Sequence, residues 1–229
     1  MDADGVRWAV RFHAAYRRSG GRLSLPSFEP VFRASDRALE QLPGIREMGF
    51  REMIGTQAEL LRDLLRAEGK GKRDGGRKGI DAGRMAEHFH NDAIRAVARN
   101  RVALESLRAG GRMRLAMISN FTGNLERCLD ELGIRSCFAV VSDSSVHGIA
   151  KPDPALFMRT LGALGASPTE AWMIGDNPAA DIRPAGELGM RTVWIASSTL
   201  PVPVGLEPTL RVSRFSDVPR ALMTLGGQA

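Results

Sequence analysis

The chain has 229 residues, of which 43% are hydrophobic, so it can bury the core of one large domain or of a domain that carries an insertion. Its formal net charge is +6, but the arginines are scattered and do not alternate with aromatic residues, so a solvated basic surface is expected rather than a nucleic-acid platform. No apolar run approaches the roughly 18 residues of a membrane span, no signal peptide opens the chain, and Cys128 and Cys137 have no metal-type spacing; we therefore expect a cytoplasmic protein with reduced thiols.

The first part of the chain is predicted to be helical. Between Val10 and Leu107, apolar residues recur at helical spacing and no β alternation is present. A charged, glycine-rich run from Gly69 to Gly83 interrupts this pattern and predicts a mobile loop. Three of the four lysines of the chain lie in that run.

Beyond Arg114, short apolar runs alternate with helical patterns. This alternation is typical of βαβ units with a parallel sheet, and two of the predicted helices end at glycines, Gly133 and Gly189. The predicted strands are Leu115–Ile118, Phe138–Val141, Ala171–Ile174, Arg191–Ile195 and an edge strand, Thr209–Ser213. The sequence therefore predicts a doubly wound α/β fold.

Polar residues follow two of these strands. Ser119 and Asn120 come directly after the first, while Asp176 follows the third and Asp181 lies five residues further on. Open α/β sheets bind ligands beyond the carboxyl ends of their strands. Two carboxylates there repel each other unless a cation or protons intervene, and Mg²⁺ prefers carboxylate oxygens. The alternative is that Asp176 and Asp181 are ordinary turn and helix N-terminal residues.

Lys151 is the one lysine outside the glycine-rich run. In a chain that otherwise uses arginine, an ammonium here favours a functional role over a surface lysine. Pro152 and Pro154 restrict the backbone around it, and Pro154 is predicted to stand in the first turn of the next helix.

Four motifs in chain order resemble those of the haloacid dehalogenase superfamily, whose members are mostly Mg²⁺-dependent phosphatases. They are Asp2-x-Asp4-Gly5, Ser119-Asn120, Lys151 before Pro152-Asp153, and Gly175-Asp176 with Asp181. The likeness is strong from Leu115 to Ile195, and the helical part resembles the cap that one branch inserts after the first motif. It implies a doubly wound, Rossmann-like core of residues 1–9 and 110–229 with a helical cap of residues 10–109.

The resemblance also implies roles for these residues. Asp2 would be the nucleophile, forming an aspartyl-phosphate, and Asp4 the general acid and then base. Ser119 and the adjacent backbone N–H of Asn120 would bind phosphoryl oxygens, and Lys151 would neutralise charge on the nucleophile and the transferring group. Dehalogenases of the family lack an acid at the position of Asp4, so its presence favours a phosphatase.

The implied cofactor is Mg²⁺. Asp176 would ligate it together with Asp2 and the carbonyl of Asp4, and Asp181 would support the site from behind these ligands or through a water. The function implied is hydrolysis of a small phosphorylated metabolite, without nucleic-acid or membrane partners.

One departure from the family pattern leaves alternatives open. The family places its first aspartate at the end of a central apolar strand, whereas Met1 alone precedes Asp2, so the first core strand is missing from this sequence. Three explanations compete. The reading frame could begin upstream, the chain could be an inactive relative that serves as a binding or scaffold protein, or the D-x-D-G pattern could be a coincidence. The first explanation is preferred because Lys151 and Asp176 are retained. A less favoured alternative is a nucleic-acid-binding role for residues 70–84.

Overall fold

The computed structural model describes residues 7–70, 79–109, 111 and 113–226. Within these ranges the first part of the chain is helical and the second part alternates strands with helices, which confirms the predicted fold class. The helices of the first part are α1 (Trp8–Arg18), α2 (Leu25–Glu40), α3 (Phe50–Ala67) and α4 (Ala82–Arg108). The predicted mobile loop falls largely on residues 71–78, outside the described residues.

An aromatic core joins the helices of the first part. Phe12 of α1 stacks on Phe89 of α4 with ring centroids 4.2 Å apart, and both rings are buried beside Phe28 and Phe32 of α2. Local signals set the helix starts; for example, the carboxylate of Asp81 accepts the backbone N–H of Arg84 at the start of α4. The division into a cap and a core at residues 10 and 109 stays a prediction.

The second part of the chain contains the strands and their connecting helices. They are β1 (Ala116–Ser119), α5 (Leu125–Glu131), β2 (Val140–Asp143), α6 (Ser144–His147), α7 (Pro154–Leu164), β3 (Trp172–Gly175), α8 (Arg183–Glu187), β4 (Arg191–Ile195), β5 (Leu210–Val212) and α9 (Val218–Gly226). A π-helical turn, Pro178–Ile182, leads into α8. Pro154 opens α7 as predicted, and Gly189, with φ +84°, follows the helical segment that it was predicted to end.

The strand pairs within the described ranges are all parallel. β1 pairs with β2, and β4 lies between β3 and β5 in a second sheet. The predicted parallel sheet is confirmed, but β2 lies two residues beyond the predicted Phe138–Val141. The difference arises because its polar end, Ser142 and Asp143, is buried and paired with β1, which an apolar pattern does not reveal.

β1 and β3 do not pair with each other in the described part of the chain, but residues from both belong to the same apolar clusters. Leu115 shares one apolar cluster with Trp172 and Ile174, and Ile118 shares another with Met173. Strands inside a parallel sheet are normally buried on both faces, yet Ile118 and Ile174 remain partly exposed. Within the described residues, β1 pairs on one side only, with β2, and β3 on one side only, with β4.

The helical part contacts the α/β part beside the carboxyl end of β1. The ring of Trp8 meets that of Phe121, two residues beyond Ser119, with centroids 6.3 Å apart. The carboxylate of Glu131 accepts the backbone N–H of Arg51 at 3.1 Å, at the start of α3. These contacts bring α1 and α3 next to the predicted site. None of the helices in the described ranges is long and apolar enough to cross a membrane.

Candidate active site

The loop after β1 is held by the carboxylate of Asp143. This residue is 4% exposed and accepts hydrogen bonds from the backbone N–H groups of Gly123 at 2.9 Å, Leu125 at 3.2 Å and Ser145 at 2.9 Å. A buried carboxylate with three N–H donors is well satisfied, because these bonds replace its lost hydration. The loop is thus fixed in shape before any ligand binds. Asp143 is not among the predicted site residues; its place in the polar run just after the predicted strand Phe138–Val141 was the available signal.

We expect replacement of Asp143 by alanine to destabilise the protein strongly. The change leaves three backbone N–H groups without their acceptor, of which that of Leu125 is buried, that of Gly123 partly buried and that of Ser145 exposed to water. A buried donor left unsatisfied costs about 1–3 kcal/mol, so urea denaturation of Asp143→Ala should show a free energy of unfolding lower by about 2 kcal/mol or more. Asp130→Ala, on the exposed face of α5, is the control, and equal stability of the two variants would contradict the expectation.

Ser119 ends β1 and lies directly opposite Asp143 in the strand pairing. It is 7% exposed, whereas the next residue, Asn120, is on the surface. The predicted phosphate-binding pair therefore stands at the carboxyl edge of the strand, where a ligand can approach.

The side chain of Asn120 joins this edge to Lys151. Its Nδ2 donates to the carbonyl oxygen of Lys151 at 2.9 Å, and its Oδ1 accepts the backbone N–H of Lys151 at 2.8 Å. Both halves of the amide are therefore engaged by the main chain of Lys151. The predicted phosphate contact of Asn120 is through its backbone N–H, not through its side chain.

Lys151 forms a buried ion pair with Asp181. The Lys151 Nζ donates to Asp181 Oδ1 at 2.6 Å, and the side chains are 11% and 6% exposed. The other carboxylate oxygen accepts the backbone N–H of Asn177 at 3.1 Å. Burial of both charges is tolerated because each finds its partner, whereas either one alone would be costly. The sequence assigned Lys151 to the substrate and Asp181 to the metal; the structure brings the two together.

Gly175 makes room for that pair. A Cβ added at Gly175 would lie 2.5 Å from Asp181 Oδ2 and 2.6 Å from its Cβ. Such approaches are far inside van der Waals contact, so only glycine fits while Asp181 keeps its position. This steric role explains the glycine in the Gly175-Asp176 motif.

Asp176 follows β3, and its main chain is fixed by Trp194 of β4. The indole Nε1 of Trp194 donates to the carbonyl oxygen of Asp176 at 3.2 Å, and the Arg211 guanidinium lies 4.6 Å from the centre of the same indole. Trp194 is 1% exposed. The sequence predicts Trp194 only as an apolar residue of a strand; the signal for its further role is that a buried indole N–H needs an acceptor.

The predicted magnesium ligands are only partly within the described residues. Asp2 and Asp4 lie outside them, and the described ranges contain no group of three or more His, Cys, Asp or Glu residues that could hold a metal. The carboxylate of Asp176, at the end of a strand, is the hard oxygen donor that Mg²⁺ prefers. Asp181 is already engaged with Lys151, so it fits the supporting role better than direct ligation.

Neither cysteine offers a competing nucleophile. Cys128 and Cys137 are free and buried. Burial, with smaller effects from Glu131 and Asp143, raises the pKa of Cys128 to about 12. Its thiol is therefore protonated and unreactive at neutral pH.

A family model for haloacid dehalogenase-like hydrolases matches residues 2–189. The chain belongs to this family. The matched range contains every predicted site residue, from Asp2 to Asp181. It also contains the helical part and most of the α/β part of this hydrolase.

Two of the relatives of this HAD-like hydrolase are phosphatases by name. Phosphoserine phosphatase of Thermus thermophilus is 39% identical over 107 residues, which are 46% of this chain and 43% of that protein. Glyceraldehyde 3-phosphate phosphatase of Pyrococcus abyssi is 35% identical over 119 residues, 51% of this chain and 50% of that protein. The matched segments thus span half or less of the length of these relatives.

The fold extends over nearly the whole chain. The magnesium-bound HAD-hydrolase YfnB of Bacillus subtilis superposes with a TM-score of 0.54, covering 93% of this chain and 90% of that one at 17% identity. At this identity the likeness establishes the architecture alone. It supports the α/β architecture described above.

Proposed function

We propose that this HAD-like hydrolase is a Mg²⁺-dependent phosphatase that hydrolyses a small phosphorylated metabolite in the cytoplasm. The observation that carries the proposal is the junction of Ser119, Asn120 and Lys151. Two hydrogen bonds join the side chain of Asn120, at the carboxyl end of β1, to the main chain of Lys151. Asp176 directly follows the neighbouring strand β3. Such an arrangement suits an anionic, phosphoryl-sized group.

The chemistry proposed for the chain proceeds in two displacements. An oxygen of the Asp2 carboxylate attacks phosphorus, the bond to the substrate oxygen breaks, and Asp4 donates a proton to the departing alcohol. Asp4 then takes a proton from a water molecule whose oxygen attacks the aspartyl-phosphate, which releases inorganic phosphate and restores Asp2. Ser119 and Lys151 bind the phosphoryl oxygens throughout.

The metal would be held by Asp176 with Asp2 and the carbonyl of Asp4, and it would neutralise negative charge near the phosphoryl group. Asp181 supports this site through Lys151, whose ammonium it holds. The main chain of Asp176 is kept in place by the indole N–H of Trp194.

A second candidate function is a binding or scaffold role without turnover. The two candidates differ in one measurable property, which is phosphate release.

We expect this chain to hydrolyse p-nitrophenyl phosphate in the presence of MgCl₂, to lose that activity with excess EDTA and to regain it when MgCl₂ is restored. Asp176→Asn should lower kcat/KM by about 10²–10³-fold, because a preorganised charge at the site is lost. Asp217→Asn, on the surface before α9, is the matched control and should retain full activity. Absence of phosphate release from a panel of aryl, sugar and amino-acid phosphates would overturn the proposal in favour of the binding role.

A further inference from the structure

We propose that Asn120 is a positioning residue whose side-chain amide fixes Lys151, and so holds the Lys151 ammonium at the phosphate site. The inference rests on the proposed function, which it extends by giving the Asn120 side chain a role other than substrate contact.

The amide of Asn120 is matched to the main chain of Lys151 on both sides. One bond, of 2.9 Å, uses the Lys151 carbonyl and the other, of 2.8 Å, its N–H. The next residue, Pro152, has no N–H to donate, and the backbone bond that spans this segment runs from the Asp153 N–H to the carbonyl oxygen of Ala150 at 2.9 Å. Asn120 thus supplies the fixed point from which the lysine side chain extends.

Lys151 is restrained at both ends. Asn120 holds its main chain and Asp181 holds Nζ at 2.6 Å, with the lysine side chain 11% exposed. A lysine side chain has four rotatable bonds, so its charged end is well placed only if the start of the chain is also fixed. Asn120 belongs to the turn after Ser119, and this contact therefore sets the distance between the lysine and the serine.

A direct contact between the Asn120 amide and the substrate would require the loss of these bonds. Nδ2 has a second hydrogen that could donate to another group. Rotation of the Asn120 side chain towards a substrate, however, would leave the carbonyl or the N–H of Lys151 without its hydrogen-bond partner, and an unpaired polar group lowers stability. The two roles make different predictions for combined substitutions.

A double-mutant cycle with Lys151→Met separates them. If Asn120 acts through Lys151, Asn120→Ala lowers kcat/KM for p-nitrophenyl phosphate by about 10–100-fold in the native background but has little effect in Lys151→Met, because residues acting as a unit are not additive. If the amide contacts the phosphate itself, the two losses multiply, and the proposal is overturned. Asn91→Ala, an exposed asparagine of α4, is the control.

A second measurement does not depend on turnover. Trace acetylation with acetic anhydride, read by mass spectrometry, compares the reactivity of Lys151 with that of Lys70, whose side chain is 40% exposed in the same molecule. We expect the Lys151 to Lys70 ratio to rise several-fold in Asn120→Ala and to stay unchanged in Asn91→Ala. An unchanged ratio in Asn120→Ala overturns the proposal. If the native chain shows no phosphatase activity, the proposed function fails, while this ratio still decides whether Asn120 positions the ammonium.

Discussion

Replacing Lys151 by methionine is expected to lower kcat/KM for p-nitrophenyl phosphate by about 10²–10³-fold, since one preorganised charge of the site is removed. Methionine keeps much of the length of the side chain, so the change tests the ammonium rather than the volume. The control is Lys70→Met, which removes an exposed lysine paired with Glu68. Equal activity of the native chain and Lys151→Met would contradict the role of the lysine.

The same substitution should also reduce stability. Asp181 is left buried, with a side chain 6% exposed, and loses its cation. Removal of one partner from a buried ion pair typically costs about 3–5 kcal/mol, because the remaining charge is uncompensated. Urea denaturation of Lys151→Met should therefore show a clear fall in the free energy of unfolding, whereas Lys70→Met should fall within about 0.5 kcal/mol of the native chain.

A double substitution distinguishes the stabilising from the catalytic effect. Asp181→Asn removes the unpaired charge and keeps an oxygen that can accept the backbone N–H of Asn177. Lys151→Met combined with Asp181→Asn should recover most of the lost stability. Its kcat/KM should remain as low as that of Lys151→Met, because the ammonium is still absent.

The second large effect is expected at Gly175. A methyl group there would enter the space of the Asp181 side chain, 2.5 Å from Oδ2 and 2.7 Å from Cγ. Asp181 can yield only by moving the carboxylate that holds Lys151, so Gly175→Ala should lower the free energy of unfolding by about 1–3 kcal/mol through overpacking. Displacement of the ammonium by about 1 Å should also lower kcat/KM by roughly 10²-fold.

Gly162→Ala is the matched control for that experiment. Gly162 lies inside α7, and a Cβ there would meet nothing within 4 Å. In a helix interior, alanine is more favourable than glycine by roughly 0.5–1 kcal/mol, so this variant should be slightly more stable than the native chain and fully active. If Gly175→Ala is as stable and as active as Gly162→Ala, then Asp181 does not lie as close to Gly175 as described.

The order of strands and helices could be predicted from the sequence because it depends on local patterns. Apolar runs mark β1, β3 and β4, and glycines such as Gly133 and Gly189 follow the helical segments as expected. The boundaries of β2 could not be predicted this way. Its last residues, Ser142 and Asp143, are polar and buried, because pairing with β1 and the backbone N–H groups of a neighbouring loop decide their place.

The sequence by itself determined which residues carry the candidate chemistry. Ser119 and Asp176 were chosen by residue type and by position after predicted strands, and Lys151 as the one lysine outside the glycine-rich run. Only the tertiary structure decided what each of them touches. Asn120 and Lys151 are thirty-one positions apart, and Lys151 and Asp181 thirty, so no local pattern reveals that they are bonded. The physical reason is that hydrogen bonds and ion pairs act over about 3 Å in space, whereas a sequence records only separation along the chain.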